Sequence, residues 1–185
     1  MSYYKMENKK GSVRMGMIFL IVFSFVAVIL LGIFVYAFNT ITISLLDKSV
    51  MVGAVNLTNA TSDTLGQLNN GINNNANLIG AAFLFGMVIG LIAAAYFTRK
   101  QNPALFFAID IILIIFFYIL STYIANAYET TLNVIPFAST FTDTLPLASG
   151  FLLNLPLITI ITGAIVMLVS YAAIPQTQEE EVAGF

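Results

Sequence analysis

The sequence predicts an all-α integral membrane protein, a four-helix bundle with both termini on the cytoplasmic side. Three observations carry that prediction: the composition, four long apolar runs, and the placement of the basic residues. Hydrophobic residues make up 59% of the 185, and charged residues 9%, against roughly 25% charged in ordinary soluble domains. A soluble domain of this length cannot hide so much apolar surface. The apolar runs cover 15–38, 79–97, 104–127 and 150–174, each close to or above the about 20 residues that a bilayer crossing needs. Lys5, Lys9, Lys10 and Arg14 precede the first run, and Arg99 and Lys100 lie between the second and third; Lys48 is the only other basic residue. Basic residues beside a span stay on the cytoplasmic side. The loops 39–78 and 128–149 are then outside, and the whole chain reads as one transmembrane domain.

The first run follows a basic segment, as a secretory signal would. It is longer than the about 7–15 residues of a signal core and lacks a small-residue cleavage pattern near its end, so it is expected to remain as the first span. The second run extends an apolar beat that begins in the outer loop at Leu65, Leu68, Ile72, Ala76 and Ile79. Those spacings of three and four predict a helix reaching outward to about Ser62, its N-cap. Gly66 and Gly71 weaken that extension by about 1 kcal/mol each, so it requires a tertiary partner. Ile41, Ile43, Leu45, Leu46, Val50, Val52 and Val55 are too apolar for a free loop, and are expected to lie on the membrane surface or over the helix ends. Asn102 and Pro103 predict a sharp start to the third span. In the fourth, Pro156 removes a backbone donor and clashes one turn back, which predicts a kink or late start with Asn154 serving the freed backbone.

Within the second span, Ala82, Gly86, Gly90 and Ala94 recur at every fourth position. Such a stripe of small residues lets another helix approach closely in lipid, and is expected to be a helix contact within the chain or between chains. Leu at Gly86 or Gly90 should then disturb packing, and Leu at Ala95, on the opposite side, should be tolerated.

Asp110 lies within an otherwise apolar span. An intramembrane carboxylate costs a few kcal/mol and is a functional candidate by default. It is either a cation- or proton-binding group, or an interhelical anchor partnered by Ser24, Tyr96, Ser170, Tyr171, Arg14 or Arg99. With no second intramembrane charge to make a relay, the anchor is favoured. Tyr36, Tyr123 and Tyr128, and at the other boundary Tyr96 and Tyr171, read as interfacial depth anchors; Glu129 reads as a solvated helix end.

Catalytic chemistry finds little material. There is no Cys and no His, so Ser-His-Asp and Cys-His systems cannot be built and the usual zinc, haem and iron–sulfur ligand sets are missing. Disulfides cannot brace the outer loops. No phosphate-binding loop occurs. Ser2-Tyr-Tyr-Lys5 matches S-x-x-K only formally, and Glu179, Glu180 and Glu181 read as a solvated tail. No enzyme, cofactor or small-molecule substrate is expected, and a net charge of −2 offers nothing to nucleic acid. Asn56 and Asn59 head two sequons, Asn56-Leu-Thr58 and Asn59-Ala-Thr61, on the predicted outer side.

Four spans with two outer loops invite comparison with tetraspanins and claudins, whose disulfide cysteines and Trp-containing loops have no counterpart here. In its four-span layout, Asn/Thr-rich outer loops and lack of Cys, the chain resembles the small membrane proteins of viruses that carry a lipid membrane beneath an icosahedral capsid. The resemblance implies a structural component of a virion internal membrane that meets capsid or vertex proteins through its loops. The expected function is accordingly non-enzymatic: assembly in a bilayer, by helix packing and outer-loop contacts with itself or with other membrane or capsid proteins. The competing expectation is an ion channel, a transporter or an accessory subunit of a membrane complex that uses Asp110.

Overall fold

The computed structural model describes residues 12–46, 51–52, 55–56, 58–59, 62–98, 106–134 and 137–172. Lys5, Lys9, Lys10, Lys48, Arg99, Lys100, Asn102, Pro103 and the tail glutamates fall outside them. Apart from turns and a two-rung antiparallel pairing of Met51–Val52 (β1) with Val55–Asn56 (β2), the described residues are helical. The helices are α1 (Ser12–Leu46), α2 (Gln67–Thr98), α3 (Phe106–Leu132), α4 (Pro146–Leu153) and α5 (Leu155–Tyr171); single π-helical turns at Ser62–Gly66 and Thr140–Thr144 lead into α2 and α4.

Three segments, Arg14–Leu46, Ser62–Phe97 and Phe107–Leu132, are long and apolar enough to cross a membrane, and the bent pair α4–α5 makes a fourth if it counts as one span. These helices fit a multi-pass integral membrane protein. The 71° bend between α4 and α5 is the kink expected at Pro156. Proline cannot donate to the carbonyl of Leu152 and its ring crowds it, so the chain turns there. Asn154 sits in the break and its side-chain amide donates to the Gly150 carbonyl at 2.8 Å.

The outward extension of the second span is present: helix begins at Ser62 and continues to Thr98. Its partner is α1, which itself continues eight residues beyond the expected end at Phe38. Ile41, Ile43 and Leu45 therefore stand exposed on helix and do not form a surface-lying segment. Hydroxyls explain how α1 continues through a polar stretch. Thr40 and Thr42 donate to the carbonyls of Tyr36 and Phe38, each at 2.9 Å, so their polar groups are satisfied within the helix.

In lipid the solvent is as apolar as the side chains, so helices associate through close packing and buried hydrogen bonds. Small residues mark the close contacts. Leu91 of α2 packs on Gly16 of α1, Leu31 of α1 on Gly80 of α2, and Ile114 of α3 on Gly163 of α5. The first two pairs set α1 against α2 in antiparallel register, and the third brings α3 against α5.

The face of α2 turned inward carries Ala76, Gly80, Leu84, Leu91 and Ala95. Ala82, Gly86 and Gly90 lie on the opposite, exposed face, with Ala94 half-buried, and a Cβ added at Gly86 or Gly90 would meet nothing within 4 Å. As a contact within the chain, the stripe reading is corrected. The expectation for Ala95 reverses with it, since Ala95 is fully buried. Four-residue spacing identifies a stripe but not the direction it faces, and in lipid the inward side has no polarity contrast to mark it.

The second loop is not a free surface. Phe137, Phe141 and Leu145 fold back against the helices, with Phe141 1% and Leu145 0% exposed. The Phe141 ring fills the space over Gly32 of α1, where a Cβ would fall inside the ring, and meets Tyr128 edge-on with centroids 5.7 Å apart. Phe137 packs on Tyr36 at 4.9 Å. In the same outer loop, Val134 and Leu147 remain exposed. The helix start that follows is capped from another helix. Leu145 has no capping side chain, and Asn77 of α2 supplies the acceptor, taking the Leu147 N–H at 2.8 Å and the Ala148 N–H at 3.4 Å.

Candidate functional site

Asp110 lies one turn into α3, at the end of the molecule where α1 begins and α5 ends. Two of the partners proposed for it from the sequence converge on its carboxylate. Arg14 of α1 donates from Nε to Oδ1 at 2.9 Å and places Nη2 2.8 Å from the same oxygen. Tyr171 of α5 donates its hydroxyl to Oδ2 at 2.6 Å. Both carboxylate oxygens are engaged, and three helices far apart in sequence are joined at one group. Charge-assisted bonds of this length are the strong kind.

The geometry around the cluster follows from local sequence. Arg14 is on the first turns of α1, so its side chain can reach along the helix to a carboxylate just inside the apolar layer. Phe107, three residues before Asp110 and therefore on the same side of α3, meets the Tyr171 ring edge-on at 5.2 Å and fixes its direction. The Arg14 and Asp110 side chains are 37% and 21% exposed, which places the pair at a boundary and not in a sealed interior. Chemically the arrangement neutralises an acid where a lone carboxylate would cost a few kcal/mol. Of the other partners considered, Ser24 donates to the Ile21 carbonyl of its own helix at 3.0 Å, and Tyr96 packs on Phe97.

The tyrosines divide into two groups. Tyr123 is exposed, as a depth anchor should be, whereas Tyr128 is fully buried beneath Phe141 and Tyr171 is bound to Asp110. Burial corrects the anchor reading for Tyr128, and Tyr171 takes the role of Asp110 partner that the sequence also offered. Glu129 is exposed. Asn59 is exposed as well, and Asn56 ends the second strand. No group of three or more His, Cys, Asp or Glu side chains that could hold a metal occurs among the described residues. A groove of about 200 Å³ between α1 and α2, lined by Ala27, Leu31, Gly80 and Phe83 among others, has only apolar side chains on its wall.

Sequence reasoning missed the Phe141–Gly32 contact, the Asn77 cap and an amide bond between Asn39 and Asn69. Gly32 was a visible signal for the first, a lone glycine in the middle of a long apolar helix; the asparagines gave none. Comparison with protein-family models, with curated proteins and with solved structures found no match to this chain.

Proposed function

We propose that this protein is a non-enzymatic, structural component of a membrane assembly: a four-helix bundle with both termini on the cytoplasmic side that packs laterally against itself or other membrane or capsid proteins. The observation that carries the reading is the use of Asp110. An acid held on both oxygens by Arg14 and Tyr171 is committed to joining α1, α3 and α5, whereas an ion-coupled carboxylate must exchange its proton or cation with water during each cycle. The exposed face of α2 supports the lateral part of the reading, since Gly86 and Gly90 leave room there for a close helix neighbour. The layout resemblance makes a lipid membrane beneath an icosahedral capsid the first assembly in which to look for the protein.

Mass spectrometry of what copurifies with the full-length protein from its native membrane in mild detergent tests this. Retained membrane or capsid proteins, or a stable self-assembly, is the expected result. A monomer that retains nothing contradicts it. The transporter or channel reading predicts instead ion flux into liposomes that Asp110→Asn abolishes.

A further inference from the structure

Where α1 and α2 pair beyond Phe38, the contact is made by amides. Asn69, 7% exposed, donates its Nδ2 to Asn39 Oδ1 across the two helices at 2.9 Å. That bond fixes the direction of the Asn69 amide and turns its own Oδ1 away from Asn39. Asn69 Oδ1 is shut off from solvent and has no hydrogen-bond partner; the same holds for Asn73 Oδ1. Asn73 follows Asn69 by four residues, so the two side chains are neighbours on one face of α2, about 5–6 Å apart at Cβ. Two carbonyl oxygens cannot satisfy each other, and each buried acceptor left alone costs about 1–3 kcal/mol.

We infer that Asn69 and Asn73 hold a bound water molecule that donates one hydrogen to each Oδ1 and completes the polar contact between α1 and α2. A water has the two donors that these two acceptors lack, and buried waters occupy such places in proteins. Turning the Asn39–Asn69 pair over would put the Asn69 amide nitrogen on the side of Asn73 Oδ1, and a direct bond between those two atoms in an experimental map would overturn the inference. The neutral oxygens argue against a hard cation, which takes six or more oxygen ligands and carboxylates among them. Asp63, in the π-helical turn that begins this helical segment, is exposed. The inference is independent of the assembly reading.

An experimental map of the full-length protein in detergent, at a resolution that resolves ordered water, tests it. The expected result is a peak within about 2.7–3.2 Å of both side chains. An empty position, or an Asn73 amide turned to donate directly to Asn69 Oδ1, overturns it. A double-mutant cycle of Asn69→Ala and Asn73→Ala, read by melting temperature, gives a second test that survives loss of either variant's map. Losing one shared water twice is expected to lower the melting temperature by less than the sum of the single shifts; additive shifts overturn the proposal. Should Asn69→Ala fail to fold, Asn69→Ser replaces it in the cycle. Exchanging choline for sodium, potassium or calcium at constant ionic strength is expected to leave the melting temperature unchanged, and a rise with one cation alone overturns water as the occupant.

Discussion

The two ends of the molecule are held together by different physics. At the Phe141 end, the chain between α3 and α5 folds back as a plug: Phe141 over Gly32, with Tyr128, Leu145, Ala148, Leu152 and Leu155 buried around it. At the Arg14 end, one carboxylate is shared by α1, α3 and α5. In lipid no hydrophobic force distinguishes inside from outside, so a bundle has shape and polar bonds to work with. At one end this chain fits a ring over a glycine, beside the Asn77 cap; at the other it ties three helices at a carboxylate, beside the close Leu91–Gly16 contact. The first tolerates no added volume, and the second no lost partner.

The comparison is broken most severely at Gly32. Gly32→Leu places side-chain atoms in the space of a Phe141 ring that has nowhere to move, and should destabilise the protein by about 3 kcal/mol, read as a lower melting temperature in detergent. Phe141→Ala in the Gly32→Leu background should recover part of the loss, which a merely local helix effect would not allow. At the other end, Asp110→Leu leaves Arg14 facing an apolar layer without its carboxylate. Because both side chains are partly exposed, the loss should be about 1–2 kcal/mol, below that of a sealed pair. Adding Arg14→Met should restore much of it, since a matched apolar pair also removes the charge that has lost its carboxylate.

Smaller effects sharpen the same contrast. Asn77→Ala removes the cap of α4 and should lower stability by about 1 kcal/mol; Asn77→Asp, which keeps the acceptor, should lower it less. Gly90→Leu on the exposed face of α2 should change the stability of the isolated protein by no more than about 0.5 kcal/mol, while Ala95→Leu, fully buried, should cost more. Melting curves of the two variants side by side check the orientation of α2 directly.

The fold was legible where the physics is local. Apolar run length gave the crossing helices, the three-and-four beat from Leu65 gave the extension to Ser62, and Pro156 gave the bend. Arg14 and Tyr171 were within reach of Asp110 because an intramembrane acid needs a partner and few polar groups lie at that depth. What the sequence hid depends on relations between distant residues. Nothing near Gly32 announces that Phe141, more than a hundred residues later, will occupy its face, and Asn77 caps a helix some seventy residues away. The stripe of Ala82, Gly86, Gly90 and Ala94 was visible as a pattern. Its direction was set by the buried face of Gly80, Leu84, Leu91 and Ala95, where Gly80 and Leu91 meet Leu31 and Gly16 of α1.

Cross-linking in the native membrane tests the assembly reading most directly, because the chain has no Cys and each introduced thiol reports alone. Gly90→Cys, on the open face of α2, should cross-link to a second copy or to another membrane protein, and Ile112→Cys, 66% exposed on α3, should not. Equal cross-linking at the two positions, or none at either, would contradict the account.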